Sequence, residues 1–421
     1  MPTCARPMAG GWGPCTRRRA EAMLWDALTL GLGYNATLVT LGAAMLGFAA
    51  GATGVFLYLA RRALVSDAIG HATLPGVVAG FMVMVAMGGE GRFLPGLMVG
   101  AAVSAGLGLW GVSWLTARTR LGEDAAIGAV LSVFYGLGVV LLTVVQVMQA
   151  GRQAGLETFL LGATAGMLRA EALMIAGGGA LVLALVFVLR RPMTIAAFDP
   201  GYAAGQGIGL RAVDLAMMGL ALAITVIGLK VVGAVMIVAL LIIPPVAARL
   251  WSERVDVVVI LAGAFGGAAG YLGAALSATA PGLPTGPLIV LAGFALFALS
   301  LLMAPARGVL AAAVRHWRFQ RRVHLRQGLL ALAGDQPIYE PLTLRLMRRA
   351  GLLRGDGVAT ARGRAQAARA RLDERRWQML RSLPEFEAAA ARHDGLSPLE
   401  DILTPDQIAA LDRHLGPEAV A

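Results

Sequence analysis

Nine apolar segments, each close to the ~20 residues that a helix needs to cross a bilayer, fill most of the first three quarters of the chain. They lie at about residues 36–60, 65–87, 93–116, 124–148, 171–190, 213–229, 231–249, 255–276 and 286–304. Backbone polar groups in lipid must find partners within their own segment, so runs of this length predict α-helices. The sixth and seventh segments adjoin at Gly228, Leu229 and Lys230, which is tight for a loop, and we therefore expect about eight or nine transmembrane helices. The predicted fold class is an all-α polytopic membrane protein.

Basic residues in the short loops predict the orientation, because loops rich in arginine stay on the cytoplasmic side. If the C-terminus is cytoplasmic, alternation of the segments places nine arginines inside: Arg61, Arg62, Arg118, Arg120, Arg190, Arg191, Arg211, Arg249 and Arg254. The opposite loops carry Arg92, Arg152, Arg169 and Lys230, which is the only lysine and reads as an interfacial anchor. We expect a multi-pass protein of the bacterial inner membrane with its C-terminus in the cytoplasm.

The two ends of the chain differ from this apolar body. Residues 1–22 are rich in glycine, proline and arginine, so we expect them to be disordered or to precede a true start at Met23. Residues 305–421 hold 19 of the 35 arginines, which predicts a basic juxtamembrane helix over 305–320 and a small, mainly helical cytoplasmic domain over 321–421. The transmembrane domain would then span 23–304. The two cysteines, Cys4 and Cys15, lie outside it, which excludes a thiolate metal site in the membrane.

Asp67 and His71 place a carboxylate and an imidazole in the second apolar segment. Four residues apart on a helix, they share one face and could reach the same cation. Ionisable side chains in hydrocarbon cost a few kcal/mol or more, which favours a functional role over an accidental one. Oxygen and nitrogen ligands without sulfur suit Mn²⁺, Fe²⁺ or Zn²⁺. The alternative is a polar pair that only links neighbouring helices.

The stretch Ser66–Gly76, which contains this pair, resembles the signature of the permease subunits of ABC importers for manganese, zinc and iron. Further motifs follow in the order found in that family: Glu123–Gly128, Phe134–Leu142, Phe198–Pro200, Val231–Pro245 and Leu283–Pro287. The resemblance covers roughly residues 23–304. It implies that Asp67 and His71 line the ion path. The implied partners are an ABC ATPase subunit, a periplasmic metal-binding protein and a second permease subunit, the same or homologous, that forms a dimer.

A loop segment after the fifth apolar run resembles the short coupling helix by which these permeases dock on the ATPase. Its residues are Phe198, Asp199, Pro200, Ala203 and Gly207. Asp-Pro is a helix-start signal, so an ordinary capped loop helix is the alternative interpretation. No phosphate-binding G-x-x-x-x-G-K-[ST] motif occurs in the chain, and no catalytic constellation is apparent. We therefore expect a transport subunit with no catalytic cofactor, whose energy comes from ATP hydrolysis by a partner.

The C-terminal extension weakly resembles the winged-helix repressors that respond to iron and manganese, with a predicted order of helix, helix, hairpin and helix. Of the metal-binding Glu-x-x-Glu-His pattern of those repressors only Glu400 is present, with Asp401 in place of the histidine, and His393 is a further candidate ligand. Metal sensing, nucleic-acid binding and passive packing are all open for this tail. Its basic residues also fit anionic membrane lipid, and a membrane tether makes a nucleic-acid partner unlikely.

The sequence thus predicts a permease that moves a divalent transition metal into the cytoplasm, with Mn²⁺ favoured and Zn²⁺ or Fe²⁺ as alternatives. Two other functions remain open: an ABC permease for metal chelates such as siderophores or cobalamin, and an ATP-independent secondary metal transporter. A chelate permease would need no first-shell ligands, and a secondary transporter would be expected to carry a chain of carboxylates.

Overall fold

A computed structural model of the chain describes residues 25–26, 29, 31, 33–89, 91, 93–147, 169–280, 283–391, 395–397 and 399–415, without the side chains of 171, 230, 231, 234 and 235. Residues 1–22, Arg92, Arg152 and the side chain of Lys230 lie outside this description, so the predictions made for them stay predictions. The chain divides into two compact units between Val309 and Leu310.

Helices account for nearly all of the first unit. Its described helices are α1 (Tyr34–Leu59), α2 (Ala63–Ala86), α3 (Leu94–Arg118), α4 (Glu123–Val147), α5 (Arg169–Phe198), α6 (Pro200–Gly205), α7 (Leu210–Val232), α8 (Ala234–Arg249), α9 (Val255–Ser277) and α10 (Thr285–Met303). Eight of the described helices are long and apolar enough to cross a membrane: α1 to α5, α7, α9 and α10. The prediction of an all-α polytopic membrane protein is confirmed.

The break between α7 and α8 lies at Gly233, a few residues after the predicted position. We expected a loop at 228–230, but α7 runs through these residues and ends at Val232, and Gly233 alone separates it from α8. Gly233 has φ 90°, a left-handed conformation that glycine adopts without a Cβ clash. Gly228 stays helical and packs closely against Ile237 of α8, so both glycines serve the tight reversal.

The helix α8 is shorter than the eight candidate spans, with 16 residues that rise about 24 Å along its axis. That is less than the ~30 Å of a hydrocarbon core. Because Gly228 of α7 lies against Ile237 of α8, the chain turns sharply at Gly233 and α8 packs beside the end of α7.

The helix α1 lies at the centre of the unit and packs against α5, α7, α8 and α9. Its contact with α9 brings backbone against backbone, since a Cβ placed on Gly47 would overlap the carbonyl of Gly266. Small residues of this kind let membrane helices approach closely where lipid provides no hydrophobic driving force. The helix α2 packs against α3 and α4, and Gly76 of α2 meets Gly100 of α3 in the same way.

Ion pairs connect the loops at one end of this unit. Arg190, eight residues before the end of α5, lies 3.8 Å from Asp256 of α9, and Arg307 after α10 lies 2.8 Å from Glu253 before α9. The hydrogen bond and positive charge of Arg307 hold the pKa of Glu253 below its usual range. The N–H of Arg307 also donates to the carbonyl of Leu250. Arg190 is one of the arginines that loop charge assigns to the inner side, and its contact with Asp256 joins α5 to the start of α9.

The second unit is helical as well. It contains α11 (Val309–Ala333), α12 (Pro341–Arg349), α13 (Ala361–Ser382), the short α14 (Glu387–Ala390) and α15 (Pro405–Leu415), with single-turn 3₁₀ helices at Pro384–Phe386 and Leu399–Asp401. A turn between α12 and α13 closes with one antiparallel bridge, Leu353 to Ala359. The predicted order of helix, helix, hairpin and helix therefore occurs, although the described residues form no strand longer than that bridge.

One continuous helix, α11, covers most of the juxtamembrane segment predicted over 305–320 and continues to Ala333 in the segment predicted to form the separate C-terminal domain. The stretch Val309–Gln327 holds neither proline nor glycine, so nothing in the local sequence ends the helix there. Residues 309–322 are almost entirely exposed, whereas Gly328 is buried against Met347 of α12. The packed part of the second unit thus begins about halfway along α11.

Candidate metal site

Asp67 and His71 lie on consecutive turns of α2, as the spacing predicts. Asp67 Oδ1 is 3.5 Å from His71 Nε2, and the two side chains are 39% and 22% exposed. The pair is therefore neither sealed in the core nor fully in solvent. An imidazole nitrogen and a carboxylate oxygen at this separation can bind one cation between them.

The surroundings of the pair orient the imidazole. The ring of His71 meets the ring of Tyr135 on α4 edge to face, with centroids 5.2 Å apart. Pro75 lies four residues after His71 inside α2 and has no N–H, so the carbonyl of His71 loses its usual helical donor. The hydroxyls of Ser66 and Thr73 donate to the backbone carbonyls of Ala63 and Gly70, which leaves them turned to the helix rather than toward a ligand.

The pair offers two protein ligands. In the part of the chain that the structure describes, no cluster of three or more histidine, cysteine, aspartate or glutamate residues could hold a metal ion. Two ligands bind weakly compared with the four of a structural zinc site. Weak binding suits a cargo that must be released.

A charged cluster that sequence reasoning did not identify lies near the start of the same helix. Arg62 forms a hydrogen-bonded ion pair with Asp214 of α7, and its Nε lies 3.3 Å from Glu123 Oε1 of α4. The sequence identifies Arg62 only as a marker of membrane orientation and Glu123 only as part of a motif. Arg62 and Asp214 are 152 residues apart, so no local spacing could reveal the contact.

The turn between α1 and α2 fixes the position of Arg62. The backbone N–H of Arg62 donates to the carbonyl of Leu57, and the backbone N–H of Arg61 donates to the carbonyl of Tyr58. This pair of hydrogen bonds ends many helices. Arg61 takes the left-handed conformation with φ 60°, which costs a residue with a side chain roughly 1–2 kcal/mol. A strained residue thus occupies the three-residue connection, Ala60 to Arg62, that leads into the helix with the candidate site.

The predicted ATPase-docking segment forms the short helix α6. Asp199 is its N-cap, with Oδ1 accepting the N–H of Tyr202 at 2.9 Å, and Pro200 is its first residue. Ala203 is fully buried, whereas Phe198 is 60% exposed. Gly207 ends the segment at φ 76°. Two exposed aromatic side chains thus lie at this segment: Phe198, the last residue of α5, and Tyr202 in α6.

The structure brings the predicted tail ligands together only in part. Glu400 and Asp401 lie in the 3₁₀ turn Leu399–Asp401, and His393 lies outside the described residues. Sequence reasoning missed the main polar contact of the tail, the paired bonds of 2.7 Å from Arg376 to the carboxylate of Asp412. The hydrogen bond to Asp412 raises the pKa of Arg376 above its usual range, against the opposing effect of its burial.

The first unit has the architecture of a multi-helix membrane permease, with a candidate cation pair on one of its central spans. The family model for the ABC 3 transport family matches residues 34–304. The chain belongs to the ABC 3 transport family, a family of ABC transporter permeases, and it is a multi-pass protein of the bacterial inner membrane.

Named relatives agree with this assignment. The chain is 39% identical over 310 residues to the manganese transport system membrane protein MntC of Bacillus subtilis, with 73% of this chain and 70% of the relative covered. It is 36% identical over 294 residues to the zinc transport system membrane protein TroC of Treponema pallidum, with 70% and 96% covered. A solved structure of PsaBC from Streptococcus pneumoniae in complex with Fab is 26% identical with a TM-score of 0.58, covering 68% of this chain and 97% of that one.

Two parts of the resemblance drawn from the sequence gain no support. Neither MntC nor TroC is described as an iron transporter. The family match ends at residue 304, so it says nothing in favour of a winged-helix domain in the tail.

Proposed function

We propose that this chain is the membrane-spanning subunit of an ABC importer that carries a divalent transition metal, with Mn²⁺ favoured over Zn²⁺, into the cytoplasm. The observation that carries the proposal is the pair Asp67 and His71 on a membrane-spanning helix of a chain in this family. The similarity to MntC favours manganese, and that to TroC keeps zinc as the alternative.

Asp67 and His71 hold the ion transiently on its path. A carboxylate and an imidazole replace part of the hydration shell of a divalent cation, and their small number keeps the ion from being trapped. A second permease subunit, the same or homologous, would bring a second pair to the shared path and complete the coordination.

The chain itself is not an enzyme. ATP is bound and hydrolysed by a separate ATPase subunit that docks on Phe198, Asp199, Pro200, Ala203 and Gly207, and a periplasmic binding protein delivers the metal. The capped helix α6 and the exposed aromatic side chains of Phe198 and Tyr202 support this docking role. ATP binding at the partner shifts the permease dimer between outward-open and inward-open states.

The end of the bundle that carries Arg62, Arg190 and Arg307 faces the cytoplasm. Arginine-rich loops stay inside, and the ion pairs described above gather those loops. The second unit follows from this end and is cytoplasmic. The exposed half of α11, with Arg315, Arg318 and Arg322, then lies within reach of anionic lipid headgroups.

Transport by the purified complex in proteoliposomes tests the proposal. We expect uptake of radiolabelled Mn²⁺ that requires ATP, the ATPase and the binding protein, with Zn²⁺ as the stronger competitor and Fe²⁺ as the weaker one. Uptake without ATP would favour a secondary transporter. Uptake of a metal chelate with no transport of the free ion would favour a chelate permease.

A further inference from the structure

Arg62 lies where three elements with different roles meet: the start of α2, the start of α4 and the second turn of α7. We infer that the ion pair of Arg62 and Asp214 is the mechanical link between the docking segment and the helix that carries Asp67 and His71, so that Arg62 is a positioning residue for transport. The inference rests on the proposed function, since it assigns a route to the coupling that such an importer needs.

On the docking side, few residues separate α6 from Asp214. The N–H of Ile208 donates to the carbonyl of Ala203 at 3.0 Å, and Ala203 is fully buried. The helix α7 begins at Leu210, immediately after this closed turn, and α6 packs against both α5 and α7. A displacement of α6 therefore passes to Asp214 through hydrogen-bonded backbone, without a flexible linker between.

On the metal side, Arg62 stands directly before α2. Asp67 is the fifth residue after Arg62, which corresponds to about 7.5 Å along a helix. The helix has no break between Ala63 and His71, so the start of α2 and the candidate ligands move together. The left-handed Arg61 and the backbone hydrogen bonds of Arg61 and Arg62 end α1, so α2 is a separate helix from α1.

Glu123 extends the link to the other helix that contacts the candidate site. Arg62 Nε lies 3.3 Å from its carboxylate, and α4, which begins at Glu123, also carries Tyr135 against the ring of His71. Both helices that touch the imidazole thus begin at one guanidinium group. A shift of Arg62 would change the separation of His71 from Tyr135 as well as the position of Asp67.

The charged side chains of this cluster are partly buried, which strengthens their interaction. The side chains of Arg62, Asp214 and Glu123 are 29%, 34% and 40% exposed, so water screens them less than it screens a surface pair. Removing one partner leaves partly buried charges without their counter-ion, which costs free energy. The ion pair can therefore transmit a displacement of α7 to the start of α2 for as long as it is intact.

Metal-stimulated ATP hydrolysis and metal uptake, measured together on the reconstituted complex, test the inference. We expect Arg62→Gln and Asp214→Asn each to lower the stimulation of ATP hydrolysis by Mn²⁺. The loss should be at least about fivefold, which is the lower end of the range usual for coupling between two sites. Membrane level, co-purification of the ATPase and Mn²⁺ binding should stay at wild-type values. The exchanged double variant, Arg62→Asp with Asp214→Arg, should recover part of the stimulation.

Arg307→Gln is the matched control. It removes an arginine that pairs with a carboxylate at 2.8 Å in another loop but touches neither α2 nor α7 in the described contacts, so stimulation should not change. Wild-type stimulation in Arg62→Gln would overturn the inference, as would a loss explained wholly by lower protein level. If Arg307→Gln lost as much stimulation as Arg62→Gln, the effect would be a general one of loop charge and the inference would fail. A wild-type complex that takes up no metal would overturn the proposed function and this inference together.

Discussion

Asp67 and His71 occupy one face of α2 with 3.5 Å between Oδ1 and Nε2, partly exposed and without a third charged ligand in the described cluster. A cation held there depends on both side chains, because neither alone provides more than one strong ligand. Their neighbours Ser66 and Thr73 are already bonded to the backbone and cannot replace them.

Replacing either Asp67 or His71 with alanine should lower the rate of Mn²⁺ uptake by more than the roughly tenfold loss that follows removal of an outer-shell partner of a metal site. Alanine is a good helix former, so α2 should persist. Uptake of radiolabelled Mn²⁺, normalised to membrane level and ATPase association, measures the effect. Ser66→Ala is the control, since that hydroxyl faces the backbone, and it should transport normally. Normal uptake in Asp67→Ala or His71→Ala would contradict the assignment of the ion path.

At the scale of elements, α6 depends on its cap more than a long helix would. It has six residues, and a helix this short is unstable without capping and packing. The Asp199 carboxylate accepts the N–H of Tyr202, an interaction worth about 0.5–2 kcal/mol at a helix N-terminus. The buried Ala203 provides the packing.

Replacing Asp199 and Pro200 with alanine should therefore disorder the first turn of α6 and weaken docking of the ATPase, while binding of Mn²⁺ to the permease is retained. Co-purification of the ATPase and metal-stimulated ATP hydrolysis are the measurements. Asp256→Ala is a suitable control, because it removes an acidic residue from the first turn of α9 that pairs with Arg190 at 3.8 Å. Unchanged co-purification and stimulation in the Asp199 and Pro200 variant would exclude α6 as the docking element.

At the scale of the whole molecule, the second unit is the least explained part. It has its own cores, one around Met347, Leu352 and Leu353 and another around Leu380 and Leu411. The division between Val309 and Leu310 gives the point at which it can be removed, whereas a cut at residue 320 would interrupt α11.

Removing residues 310–421 distinguishes a metal-responsive brake from a packing role. If Glu400, Asp401 and His393 bind cytoplasmic Mn²⁺ and favour one state of the permease, truncation should raise uptake in cells preloaded with Mn²⁺ and leave it unchanged in starved cells. The double variant Glu400→Ala with Asp401→Ala should reproduce this in the full chain. Equal uptake ratios in loaded and starved cells, corrected for membrane level, would exclude the brake. A loss of abundance in both conditions would indicate packing.

The amino-acid sequence by itself determined most of the helices, their order and the two candidate metal ligands, Asp67 and His71. Lipid leaves a backbone no partners except those within its own helix, so apolar length is enough to predict a span. An aspartate and a histidine in such a span are conspicuous because hydrocarbon penalises them. The capped segment at Asp199 was equally visible, since capping depends on residues within one turn.

Tertiary structure alone decided which distant residues meet. The pairing of Arg62 with Asp214, the central place of α1 and the pairing of Arg376 with Asp412 join parts of the chain whose spacing follows no local rule. The chain turns at Gly233 rather than at 228–230, and Gly228 packs against Ile237. The hydropathy of the two segments does not predict this contact. Local hydrogen bonding fixes an element, but its partners are selected by shape and charge over the whole fold.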